Sequence, residues 1–235
     1  MTSKNLLVEL LVEELPPKSL KKLGESFAQL LASSLKEQGL AAADAELVWY
    51  ATPRRLAVVV KEVLSQAADK AVAHKLMPVS VGLTAEGEPT PALLKKLASL
   101  GADASALPQL KRVQDGKAEA LFFDTVARGA PLAMGLQKAL TETLSKLPIA
   151  KVMSYQLADG WETVNFVRPA QGLVALHGED VVAIHALGLQ AGRVTQGHRF
   201  EASAAKIIIK DAYHYAQQLE QEGAVIASFE QRRSE

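Results

Sequence analysis

Residues 6–12 read Leu6-Leu7-Val8-Glu9-Leu10-Leu11-Val12, an apolar run interrupted once by a carboxylate. Such a run reads as a strand. Glu13-Glu14 closes it, and Pro16-Pro17 follows, where proline suits the first turn of a helix. Leu20, Leu23, Phe27, Leu30, Leu31 and Leu35 then recur at helical spacing, and Lys18, Lys22, Glu25, Gln29 and Lys36 fall on the opposite face. Gly39 stands where a helix C-cap is expected. Leu47–Ala51 and Leu56–Leu64 read as strands separated by Thr52-Pro53-Arg54-Arg55. Strand, amphipathic helix and further strands together predict an α+β fold, with mixed or antiparallel sheets, packed helices and two lobes.

The stretch from Ser65 to Pro91 carries short polar runs and Glu86-Gly87-Glu88-Pro89, and reads as an irregular insertion. Pro91 opens a short helix through Leu93, Leu94, Leu97 and Leu100, closed by Gly101. Leu110–Val113 and Glu119–Val126 flank Asp115-Gly116, a hairpin signal because glycine accepts positive φ. Leu132, Leu136, Leu140 and Leu144 predict a second long helix, stopped by Pro148. Val164–Val167, Leu173–His177, Val181–Leu187 and Lys206–Lys210 read as strands. Asp211 is placed to cap a helix through Tyr215, Ala216 and Leu219, with Gly223 after its end. Residues 224–235 read as the first turns of another helix that stops without a cap, as expected of a piece of a longer chain. The expected domains are residues 1–128, an α+β lobe with an inserted helix and hairpin at about 65–128, then residues 129–222, a second α+β lobe, then residues 223–235.

The 26 basic residues balance 26 acidic ones. By thirds the counts are 10 against 9 for residues 1–76, 7 against 7 for 77–145, and 9 against 10 for 146–235. Any contact with nucleic acid must therefore come from a local patch and not from a global field. No apolar run is long enough to span a bilayer, and the N-terminus lacks a secretory pattern, so no membrane role and a cytoplasmic location are expected. The absence of cysteine excludes thiolate catalysis, disulfides and cysteine-ligated metals.

The sequence holds no Walker loop, dinucleotide fingerprint, nucleophile elbow or HExxH. Lys151-Val152-Met153-Ser154 and Arg199-Phe200-Glu201 echo pieces of synthetase active sites, but their companion motifs are missing. No catalytic and no metal-binding residue is expected. His74, His177, His185, His198 and His214 show no ligand spacing. Glu13 and Glu14 lie beside a helix N-terminus, where the dipole favours a capping role over acid–base work. Thr52-Pro53-Arg54-Arg55 brings two guanidiniums to the start of a strand, suited to planar contact with phosphate or carboxylate, or to an internal pair. Gly192-Arg193-Val194-Thr195-Gln196-Gly197-His198-Arg199-Phe200 can present two arginines and a histidine from one loop to an RNA backbone or an acidic surface, or can hold internal ion pairs.

Four blocks, in this order, resemble the β-subunit family of bacterial heterotetrameric glycyl-tRNA synthetases. They are Leu6–Glu9 with Glu13-Glu14-Leu15-Pro16-Pro17, Tyr50-Ala51-Thr52-Pro53-Arg54-Arg55-Leu56-Ala57, Phe166-Val167-Arg168-Pro169, and Gly192-Arg193 through Gly197-His198-Arg199-Phe200. Ala170-Gln171-Gly172 departs from the family's more aromatic, histidine-bearing tripeptide, and 81–100 aligns little beyond Glu86–Thr90. The resemblance implies an N-terminal module of a class II glycine–tRNA ligase whose α subunit carries the active site and uses ATP and Mg. It implies that this chain alone binds no cofactor and is inactive, and that its partners are the α subunit and tRNA(Gly), not DNA. Arg54, Arg55, Arg168, Arg193, His198 and Arg199 are the candidates for tRNA or interface contact. The rival readings are a stand-alone RNA-binding or protein-interaction domain, and a hydrolase editing mischarged tRNA.

Overall fold

A computed structural model describes residues 2–116, 118–157 and 159–234. The chain opens with strand β1 (Ser3–Val12), helix α1 (Pro17–Glu37), and strands β2 (Leu47–Thr52) and β3 (Arg55–Leu64). There follow β4 (Lys70–Pro78), the short helices α2 (Val79–Gly82) and α3 (Pro91–Ser99), a 3-10 turn at Ala104–Gln109, then β5 (Lys111–Asp115) and β6 (Ala118–Ala127). Helix α4 (Leu132–Lys146) precedes the hairpin of β7 (Met153–Gln156) and β8 (Thr163–Phe166), and then β9 (Ala170–His177). Short strands β10 (Asp180–Val181), β11 (His185–Ala186), β12 (Leu189–Gln190), β13 (Val194–Thr195) and β14 (Ile207–Ile208) lead to α5 (Tyr215–Gly223) and α6 (Phe229–Ser234). The architecture is α+β, and the strand ladders are antiparallel.

Contacts divide the chain into residues 1–67 with 130–235, and residues 68–129. The break after residue 129 falls beside the expected boundary at 128/129, and residues 68–129 match the expected insertion, but the residues beyond do not form a second lobe, since they join residues 1–67. The reason is pairing: β9, expected in a second lobe, is hydrogen-bonded to β1, with Leu7 opposite Leu176 and Leu10 opposite Leu173.

In the larger body the sheet order is β10-β9-β1-β3-β2, so β1 lies between two strands. Layers cover both faces of the sheet, which is why residues 6–12 are nearly all apolar. Strand alternation separates the faces. Leu6, Val8, Leu10 and Val12 pack into the core that α1 and α4 close with Leu23, Phe27, Leu31, Leu136 and Leu140. Leu7 packs on the other side with Val59, Ile207, Ile209, Tyr215 and Leu219. Glu9, in step with Leu7, therefore points toward α5. The end of α1 follows the expectation: Gly39 has φ +74, and its N–H donates to the Lys36 carbonyl at 3.0 Å.

In the smaller body the order is β4-β6-β5, closed over a core of Leu76, Leu93, Leu97, Ala106, Leu121 and Phe123. Ser65–Pro91 is thus not irregular, since Lys70–Pro78 pairs along β6. Its side chains are mostly exposed, as on an edge strand, and small residues such as Ala71 and Ala73 between lysines leave no clear apolar alternation. Val181–Leu187 also differs from a single strand. Leu187 and Gly188 both take positive φ (+53 and +76) and turn the chain between β11 and β12. Among the described residues no helix is long and apolar enough to cross a membrane.

Candidate functional site

One broad groove of about 1660 Å³ runs across the larger body, and all four quoted sequence blocks reach it. Its walls are tied by backbone hydrogen bonds between distant segments. The Val12 N–H donates to the Arg54 carbonyl (2.8 Å), Leu15 to Pro53 (2.6 Å), and Glu13 to Pro169 (3.0 Å). The β2–β3 turn, Pro53-Arg54, is therefore stapled beneath the Glu13–Leu15 segment and beside Arg168. The loop after β13 forms the opposite wall with Gly197, His198, Arg199 and Phe200.

Arg54 is half-buried and donates through Nη2 to Gln171 Oε1 at 2.8 Å, while Gln171 Nε2 donates to the Glu13 carboxylate. The tripeptide 170–172 thus supplies the bridge between a glutamate and an arginine of the groove. Arg168 donates through Nε to the Glu14 carbonyl (2.9 Å) and through Nη1 to the Val167 carbonyl (3.1 Å). His198 and Arg199 are exposed on the rim. Two candidates fall elsewhere. Arg193 is not part of the groove lining, and its guanidinium donates to the carbonyls of Glu179 and Lys210. Arg55 touches the groove floor but is only 3% exposed, with Nε 3.3 Å from Glu9 Oε2 and Nη2 donating to the Gln196 carbonyl. It is an internal residue, because it opens β3 directly opposite Leu11 on the buried central strand.

Glu13 and Glu14 do not cap α1. The helix begins at Pro17 with no acidic residue in its first turn and no side-chain cap. Both glutamates line the groove instead. Asp211 also acts one turn earlier than expected, accepting from the N–H groups of Tyr213 (2.7 Å) and His214 (2.9 Å) ahead of α5. His177 is buried and donates from Nε2 to the Val63 carbonyl at 2.7 Å, a structural role.

Sequence reasoning missed two features. The first is the buried polar cluster under the groove. Glu9, 1% exposed, accepts hydrogen bonds from the hydroxyls of Thr195 and Tyr215 and faces Arg55. Burial, and then the Glu9 charge, push the Tyr215 hydroxyl well above its usual range, so it stays a neutral donor. These partners lie 186 and 206 residues from Glu9, beyond any local pattern, although a lone carboxylate inside an apolar strand is a signal that partners are required. The second is Arg232. Its Nη1 donates to the carbonyls of Ala227 (3.1 Å) and Ser228 (3.0 Å), and its Nη2 donates to Ala51, fixing α6 to β2. Burial, and then the neighbouring Arg55 charge, lower its pKa.

Five arginines and two glutamates line the groove, and with Arg55 paired to Glu9 the remaining four arginines still outnumber the glutamates, which favours anionic ligands. Its volume exceeds the roughly 300–1,000 Å³ of ordinary small-molecule pockets. Among the described residues no cluster of three or more His, Asp and Glu side chains is close enough to hold a metal ion.

A family model described as glycyl-tRNA synthetase beta subunit matches residues 6–235. The chain belongs to the glycyl-tRNA synthetase beta subunit family. It is 67% identical over 235 residues to the glycine–tRNA ligase beta subunit of Leptothrix cholodnii, covering all of this chain and 33% of that protein. It is 66% identical over 235 residues to the beta subunit from Thiobacillus denitrificans and 64% identical over 236 residues to that of Acidovorax ebreus, again over the whole of this chain, covering 34% and 33% of them. The chain spans about a third of the length of the curated relatives it matches.

Proposed function

We propose that this chain acts as the N-terminal module of a glycine–tRNA ligase β subunit, supporting ATP-dependent attachment of glycine to tRNA(Gly) by holding tRNA and bracing the α subunit. On this reading the α subunit carries the class II active site and uses ATP and Mg in the cytoplasm, and this module makes no bond itself. The observation that carries the proposal is the convergence of four family blocks on one guanidinium-rich groove. Arg54, Arg168 and Arg199 face tRNA phosphates with His198 beside them, whereas Arg55 and Arg193 serve the fold. Membership of the ligase family favours this over a stand-alone RNA-binding or interaction domain. The β7–β8 hairpin, with Val152, Met153 and Trp161 exposed, favours a protein contact and is assigned to the α subunit.

The test is tRNA(Gly) binding across a salt series. Each phosphate contact adds about 0.9 to the slope of log K against log salt on duplex regions and about 0.7 on single strands. Arg54→Ala, Arg168→Ala and Arg199→Ala are each expected to weaken binding and flatten the slope by roughly one contact. Arg193→Ala is expected to leave the slope unchanged. Absence of binding at low salt, or equal slopes for all variants, refutes the tRNA role and leaves α-subunit association as the remaining function.

A further inference from the structure

We infer that the groove rim at 198–200 is a stacking platform for one unpaired RNA base, Phe200 taking the base while the guanidiniums of Arg54 and Arg168 follow its backbone. This rests on the tRNA reading above and specifies which part of an RNA the groove selects.

Phe200 is 82% exposed, yet it lines a polar groove. A ring left in water contributes nothing to the core, so packing does not account for it. Its immediate neighbours are a guanidinium and an imidazole ring. Arg199 Cζ lies 5.6 Å from the ring centroid, and the His198 ring stands edge-on with its centroid 6.3 Å away. An aromatic face joined to a guanidinium is suited to the π-face of any nucleobase, without regard to sequence.

The loop is also held still. The His198 N–H donates to the Gly223 carbonyl (2.7 Å), and the Ser203 N–H (3.1 Å) and Oγ (2.9 Å) both donate to the Glu222 carbonyl. His198 Nδ1 accepts from the N–H groups of Phe200 (3.4 Å) and Glu201 (3.2 Å). Gly197 packs so tightly on Gly223 that a Cβ there would lie 2.6 Å from its Cα. Phe200 is thus displayed from a fixed loop, and a ligand ring meets a preformed surface at little ordering cost. Inside a duplex both faces of each base are already stacked, so away from the duplex ends an unpaired nucleotide is the ligand that can use it.

The experiment compares Phe200→Ala and Phe200→Trp with the wild-type whole chain. The probes are a short oligouridylate of about 12 nucleotides, within single-strand site sizes, and a blunt RNA duplex. Base stacking on an aromatic residue corresponds to roughly 5- to 140-fold in affinity. Phe200→Ala is expected to lose a factor in that range for oligouridylate, with duplex affinity and salt slope unchanged, and Phe200→Trp to restore it. Unaltered oligouridylate binding by Phe200→Ala, or an equal loss on duplex, overturns the platform. If Arg54→Ala still flattens the slope for tRNA(Gly), the groove reading survives that result. If neither RNA binds, both readings fall. A Phe200→Ala defect confined to α-subunit association also overturns the platform and makes the rim a protein contact.

Discussion

Replacing Arg55 with methionine tests whether the pair of arginines after Pro53 is divided between fold and surface. Arg55 Nε stands 3.3 Å from Glu9 Oε2, and both side chains are almost fully buried. At an effective dielectric of about 20, two unit charges at that distance attract by about 5 kcal/mol, most of it offset by the desolvation of both. Removing the cation alone leaves the Glu9 carboxylate with only the hydroxyls of Thr195 and Tyr215 as hydrogen-bond donors. Breaking a buried pair in this way costs about 3–5 kcal/mol. With a urea m-value of about 3 kcal/mol/M, the midpoint should fall by roughly 1–1.7 M. Tryptophan fluorescence reports the transition, because Trp49 packs against Phe229 whereas Trp161 is 92% exposed and changes little. The double variant Glu9→Leu/Arg55→Met removes both charges and should recover much of the loss. A midpoint shift below about 0.3 M for Arg55→Met, or a double variant no better than the single one, refutes the buried pair. Loss of RNA binding by a fully stable Arg55→Met would return Arg55 to the contact surface.

Gly197→Ala forces a Cβ to within 2.6 Å of the Gly223 Cα and carbonyl oxygen, where backbone has no room to yield. It should cost about 1–3 kcal/mol and speed hydrogen exchange at the His198 and Ser203 amides, and unchanged exchange there would refute the clamp. Asp211 carries a pH-dependent contribution. Burial acts to raise its carboxyl, but the His214 side chain and the N–H groups of His214 and Tyr213 outweigh this and hold it below the usual range. A depressed folded value gives stability that is complete above the unfolded value of about 3.9 and is lost as pH falls through the folded one. The stability gap between wild type and Asp211→Asn should therefore narrow in acid, and a gap independent of pH would refute the assignment.

Glycine positions illustrate how local and tertiary constraints separate. Gly39 ends α1 in the left-handed region, as its place after an amphipathic repeat foretells. Gly223 looks like the same signal, yet the left-handed cap after α5 is Ala224 at φ +51. Gly223 is needed for a different reason, because a Cβ there would lie 2.7 Å from Ile207 Cδ1 and 3.3 Å from the Gly197 Cα. Strands show the same division. β9 announces itself by its buried apolar run, whereas β4 is largely exposed with no clear alternation and β7 is exposed and only four residues long.

From the sequence alone came the α+β class, the two long helices, the strand at 6–12, the family blocks and the absence of thiol chemistry, since each depends on composition or on spacing within a few residues. Tertiary structure decided which strands are neighbours and which side of β1 Glu9 faces. It also decided that Arg55 turns inward beside an outward-lying Arg54, and that Arg193 leaves the groove to Arg54, Arg168 and Arg199. Glu9 meets Thr195 and Tyr215 from 186 and 206 positions away, and even Arg193 is drawn aside by carbonyls 14 and 17 positions off, outside any helix or strand period. A buried charge must find its partners wherever the fold brings them, and no local period records where that is.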